Sequence, residues 1–306
     1  MILVVDLNPI ITTEYYLDKF VHNRLNRAKR VEKKINGEGI FCSDLLSNMN
    51  LDYKLMSFCG QKDNCELQRY INKLAFPYHG INISTSTLEA LQIQSDKDKA
   101  FILSPAPKIT QKEIEDFYQA FTEAVNEADA VVIVNGKIYN GLKNFAKNLI
   151  RICYRLGKKV IISSENDEIY DLVKEKPYLS ILDLKELEEI SNLELEFEWE
   201  IIRSIKTLLE SGVGAALVID RNKSIYIDKS NALRIRFEAN KLLNTKPKKS
   251  LIATGFAIGL LKNYDLSMTA KIALASGLSN FNLENRADSS EIKQLMNHIE
   301  VEAFNV

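Results

Sequence analysis

Cysteine, histidine, proline and glycine are all sparse in this chain of 306 residues, and each scarcity removes a class of protein. Cys42, Cys59, Cys65 and Cys153 contain no CxxC spacing, and only Cys59 and Cys65 lie near each other. That pattern argues against a zinc ribbon and a disulfide framework and implies a reduced chain. His22, His79 and His298 share no metal-ligand spacing and receive no role. With 12 Gly and 6 Pro there is no obvious linker, and neither a repeat nor a low-complexity segment is visible. No apolar run approaches the roughly 18 residues that a membrane span needs. The first residues, Met1 to Asp6, lack a basic flank and run into Asn8-Pro9, so they read as a buried strand rather than a secretion signal. A cytoplasmic protein is expected. Net charge is equally uninformative: 40 Lys+Arg against 41 Asp+Glu give −1, so no field of one sign points to nucleic acid or a membrane. The basic stretches Ala28 to Lys34 and Lys246 to Lys249, and the acidic stretch Glu186 to Glu200, are short and mixed with apolar residues, as solvated faces are.

Short apolar runs separated by segments of helical period are what is present. Strands are predicted at Ile2–Asp6, Leu55–Cys59, Ala130–Val134, Lys159–Ser163, Leu179–Leu182 and Ala215–Ile219. Helices fall between them. Thr110-Gln-Lys-Glu113 is a capping pattern, followed by Ile114, Phe117, Phe121 and Val125 on one face, and Tyr139 to Leu156 carries a similar stripe. Such alternation implies an α/β fold around a mostly parallel sheet. Ala90–Gln94 and Ala100–Leu103, joined by Ser95-Asp-Lys-Asp98, read instead as an antiparallel hairpin outside that sheet. Arg234 to Glu238 is a further strand candidate.

Several landmarks occur in order along nearly the whole chain: Leu7-Asn8-Pro9, Asn26 to Val31, Asn36-Gly-Glu-Gly39, Pro105-Ala-Pro107, Val134-Asn-Gly-Lys137, Lys176-Pro-Tyr-Leu179 with Asp183-Leu-Lys-Glu186, and Ala253-Thr-Gly-Phe-Ala-Ile-Gly-Leu-Leu261. In this order they resemble the PfkB carbohydrate kinases, in particular the branch of 1-phosphofructokinase and tagatose-6-phosphate kinase. The resemblance implies a ribokinase-like, Rossmann-type sheet flanked by helices in a single domain. It further implies a small β-sheet lid near residues 12–32 and 82–104, of the kind that often pairs into a homodimer.

The same resemblance assigns the site, and there the chain departs from the family. The Gly-Ala-Gly-Asp turn that supplies the anion hole and the general base is matched to Leu251-Ile252-Ala253-Thr254, and a threonine hydroxyl accepts no proton at neutral pH. In the sugar pocket Gly37 and Gly39 are kept, whereas Glu38 and Phe41 replace a cation and a polar residue. Thr12 stands for the sugar-gripping aspartate and Leu88 for the phosphate-binding arginine, with Ala90 beside it; Lys137 replaces a serine and offers a phosphate contact. On the nucleotide side Asp183 and Glu186 resemble a magnesium-organising pair, or are simply the acidic start of a helix. Ile219-Asp220-Arg-Asn-Lys-Ser224 carries no glycine where the nucleotide turn has two. The expectation is therefore a non-catalytic or strongly impaired relative acting as a sensor of sugar phosphate or nucleotide, a regulatory subunit or a scaffold. The alternative is an active ATP- and magnesium-dependent phosphosugar kinase that draws its base from elsewhere.

Overall fold

The computed structural model describes residues 1–61, 66–135, 144–164, 169–221, 223–237, 247–279 and 289–305. Its strands are β1 (Ile2–Asp6), β2 (Ile10–Tyr16), β3 (Arg30–Asn36), β4 (Tyr53–Gly60), β5 (Tyr78–Ile83), β6 (Leu88–Gln94), β7 (Lys99–Leu103), β8 (Ala130–Asn135), β9 (Lys159–Ser164), β10 (Leu179–Asp183), β11 (Ala215–Asp220), β12 (Lys223–Asp228), β13 (Ala232–Phe237) and β14 (Ile299–Ala303). Ten form one sheet in the order β14-β13-β12-β11-β10-β9-β8-β1-β4-β5, and β3-β2-β6-β7 form a second. From β11 to β5 the large sheet is parallel, and β12, β13 and β14 extend it antiparallel.

Alternation decides which face each residue covers. Ile2 and Val4 of β1 enter one core and Leu3 and Val5 the other, all of them fully buried. Strands buried on both faces read as unbroken apolar runs, which is why the six predicted ones stand where expected. The first core is covered by α1 (Glu38–Asn48), α2 (Glu66–Leu74), α8 (Lys249–Lys262), α9 (Leu266–Leu278) and α10 (Ser289–Met296). The second is covered by α3 (Gln111–Glu127), α4 (Phe145–Arg155), α5 (Ile169–Leu172), α6 (Leu184–Ser191) and α7 (Glu198–Glu210). Thr110 caps α3 with the reciprocal Glu113 bond that its sequence announces.

The predicted hairpin is β6–β7, closed by a 2.9 Å bond from the Ser95 amide to the Asp98 carbonyl. It joins β2 and β3 in the small sheet, which therefore occupies residues 10–16, 30–36, 88–94 and 99–103. Residues 82 and 83, expected in this excursion, belong to β5, whose Ile81 and Ile83 are buried in the large sheet's second core. The expected helix over 139–156 is observed as α4, its first five residues lying outside the described ones.

Candidate functional site

Open α/β sheets bind ligands outside the carboxyl ends of their strands. Here the ends of β1, β9 and β10 face the N-termini of α1, α6 and α8. Asp183 closes β10 and caps α6: its Oδ1 accepts the Glu186 amide at 3.0 Å, and its own amide donates to Glu186 Oε2 at 2.8 Å. Glu186 Oε1 accepts from the Lys249 ammonium, which also donates to the Ser164 carbonyl at the end of β9. Both partners are buried, at 4% and 12% side-chain exposure. Burial raises the Glu186 carboxyl above its ordinary range, with the Lys249 ammonium opposing that shift. Each oxygen of Glu186 thus has a donor from the protein. Among the described residues no three His, Cys, Asp or Glu side chains converge as a metal site.

Asp6, at the end of β1, is fully buried beside the N-terminus of α1. It accepts the Asn8 amide through Oδ1 and the Gly39 amide through Oδ2, each at 3.0 Å. Loss of water pushes its carboxyl up to about 7, against those two hydrogen bonds. A Cβ at residue 37 would lie 2.5 Å from Asp6 Oδ2, and one at residue 39 would lie 2.4 Å from Asp6 Cβ. Gly37 and Gly39 are therefore demanded by Asp6 itself. Glu38, between them, is half-buried and opens α1; its Oε2 accepts a hydrogen bond from the hydroxyl of Ser250 in the first turn of α8. Lys248, the N-cap of α8, places its ammonium 4.1 Å from the centre of the Phe41 ring.

From the small sheet, Thr12 is buried on β2 and accepts from the Asn36 side chain at 2.8 Å. Ala90 sits directly across from Thr12 on β6, and Leu88, two residues earlier, is buried as well. None of Thr12, Asn36, Leu88 and Ala90 carries a charge to grip a phosphate. Lys137 lies outside the described residues. Asp220 ends β11 and pairs with Lys223 at 3.6 Å across the turn to β12. In that turn Arg221 has φ 48°, the left-handed conformation that glycine adopts most readily.

No family model matches the chain. It is 22% identical over 304 residues, 99% of its length and 98% of the relative's, to a 1-phosphofructokinase of Borreliella burgdorferi. A Staphylococcus aureus structure assigned to the phosphofructokinases superposes with a TM-score of 0.89 at 20% identity, covering 100% of this chain and 99% of that one. Phosphofructokinase-2 of Escherichia coli in complex with fructose-6-phosphate gives 0.79 at 14% identity, covering 97% and 98%. The chain has the ribokinase-like fold of these phosphofructokinases and is similar to a 1-phosphofructokinase over nearly its whole length.

Within that relationship, the matching of Leu251-Ile252-Ala253-Thr254 to the anion-hole turn needs correction. In these kinases the turn opens a late helix, and the late helix here opens at Lys249. Thr254 lies in the second turn, completely buried, with its hydroxyl donating to the Ser250 carbonyl at 2.9 Å. Leu251, Ile252 and Ala253 are likewise fully buried in the first core, with Ile252 against Gly277. Residues at the mouth are instead Lys248, Lys249 and Ser250. Lys249 and Ser250 carried no candidate role in the sequence, although Pro247 shortly before the helical stripe marks an N-terminus.

Proposed function

We propose that the chain is an ATP-dependent phosphosugar kinase of the fructose-1-phosphate or tagatose-6-phosphate type, acting in the cytoplasm. The observation that carries this is the opening of α8 onto the sheet's carboxyl end, with Lys248 and Lys249 at its mouth and the half-buried Glu38 bonded to its first turn. Phosphoryl transfer needs a positive cradle for the moving group and an acceptor for the incoming hydroxyl's proton. Amides at a helix N-terminus, reinforced by the Lys248 ammonium, supply the first, and a carboxylate the second. The full-length likeness to a 1-phosphofructokinase supports the same reading. A coupled assay of ADP release from ATP–magnesium, run across fructose-1-phosphate, tagatose-6-phosphate and unphosphorylated sugars, tests it. Turnover confined to phosphosugars is expected, and none with any sugar overturns it.

One observation favours the other reading, a non-catalytic sensor, regulatory subunit or scaffold. Lys249 and the Asp183 amide occupy Glu186, so the carboxylates that resemble a magnesium-organising pair hold the protein together instead. Stabilisation by ATP–magnesium or a sugar phosphate without turnover would support that reading.

We further propose a homodimer through the small sheet, where Val31, Phe101 and Ile102 are more than half exposed. A related structure is the tetrameric inhibited form of Escherichia coli phosphofructokinase-2. Sedimentation of wild type beside Phe101→Glu/Ile102→Lys is expected to give a dimer and a monomer; equal masses would refute the lid contact.

A further inference from the structure

We propose that Glu38 is the general base, taking the proton of the sugar hydroxyl that attacks the terminal phosphoryl group; this rests on the kinase reading above. Glu38 and Ser250 are 212 positions apart, yet the Ser250 hydroxyl donates to Glu38 Oε2. Each residue stands in the first turn of its helix, α1 and α8 respectively, so two helix N-termini converge on one carboxylate. A carboxylate offers about four lone-pair sites. Ser250 takes one and demonstrates the contact that an acceptor hydroxyl makes.

The other acidic side chains nearby are unsuited to the task. Asp6 is fully buried behind Gly37 and Gly39, and its oxygens accept backbone amides. Glu186 is bridged to Lys249 within the fold. Asp183 accepts the Glu186 amide as a cap. Glu38 alone among these four combines partial exposure with a hydroxyl already bonded to it at the mouth of α8. In the transfer step the acceptor's O–H bond breaks toward Glu38 as its oxygen forms a bond to the γ-phosphorus. The bond from that phosphorus to the β-bridging oxygen breaks, its electron pair leaving with ADP. The first-turn amides of α8 face the moving phosphoryl group, and the proton on Glu38 passes to solvent when product leaves.

Substrate specificity follows from the same placement. The residue that the sequence presented as a lost cation lies where a phosphate would be repelled, so the acceptor turns its hydroxyl, not its phosphate, toward Glu38.

Testing this uses the full chain with ATP–magnesium and the phosphosugar that the wild type turns over best. Glu38→Gln keeps the Ser250 bond and removes the base, and kcat is expected to fall by ~10²–10⁴-fold with KM within a few-fold. Glu38→Asp, which withdraws the carboxylate by about a bond length, is expected to lose ~10²-fold and serves if the Gln variant does not fold. Formate added to Glu38→Ala is expected to restore part of the rate, which a merely structural role would not allow. If either the Gln or the Asp variant keeps kcat within threefold of wild type, the base assignment falls while the kinase reading stands. Wild-type protein without turnover on any phosphosugar overturns both.

Discussion

Asp6 is an acid that the folded chain prefers to keep protonated. Its carboxyl titrates near 7 in the fold against 3.8 when solvated, because burial at the end of β1 removes water from the charged form. Between those values the folded chain holds more protons than the unfolded one, so Asp6 makes stability fall as pH rises, and the penalty is complete above about 7. Between about pH 5 and about pH 8, urea unfolding should show wild type losing ~2–3 kcal/mol more than Asp6→Asn, which has nothing to ionise there. Lys249 is the converse case. Replacing it with Met leaves the buried Glu186 without its ammonium, and a loss of ~3–5 kcal/mol is expected, much of it recovered when Glu186 is changed to Leu as well. Neither residue's environment was legible in the sequence. Asp6 reads as the polar end of an apolar strand and Lys249 as one of a basic run, and only the fold brings each to a partner. Gly37 and Gly39 were legible as a motif, but the cause, contact with Asp6, was not.

At the level of elements, local signals carried as far as a residue's own neighbours determine its state. The capping box at Thr110 is such a case, because donor and acceptor are three residues apart. Thr110→Ala should cost ~1 kcal/mol in chemical unfolding without altering the slope. The buried parallel strands were legible because both faces demand apolar side chains. β2, β3 and β14 were not, since a strand that is not buried on both faces mixes Lys, Glu and Tyr into its pattern. The onset of α8 failed for a related reason. Its stripe is apolar on every side from Leu251 to Ile258, so the sequence gives no face from which to count turns, and the first turn was placed too late. The consequence reached the site, for Thr254 was put where Ser250 stands.

For the whole molecule, likeness of fold is far stronger than likeness of side chains: a TM-score of 0.89 accompanies 20% identity. Order and spacing of landmarks could reveal that architecture because several mark element boundaries: Asn8-Pro9 follows β1, Gly37 precedes α1, and Asp183 joins β10 to α6. Side chains facing the ligand lie on separate elements, so their meeting depends on packing rather than spacing. A ligand of the native state must then stabilise the molecule as one body. At a hundred times its dissociation constant ATP–magnesium should add ~2.7 kcal/mol to global stability, and Glu38→Gln should retain most of that gain, since the proposed base acts on the acceptor. Loss of the gain in Glu38→Gln would mean that the residue serves nucleotide binding instead.

The strand order also dictates how the chain is covered while it is being synthesised. β1 emerges before β4 and β8 but lies between them, so neither of its edges is closed by local pairing. Until β8, ending at Asn135, has left the ribosome, five fully buried residues' worth of strand present an open edge with no neighbour on one side. From there each later strand from β9 to β13 adds next to the one before it, growing the sheet outward in the order of translation. The hazard of misassembly is therefore concentrated in the first half of the chain, and a chaperone that holds nascent protein would be needed most before β8 docks.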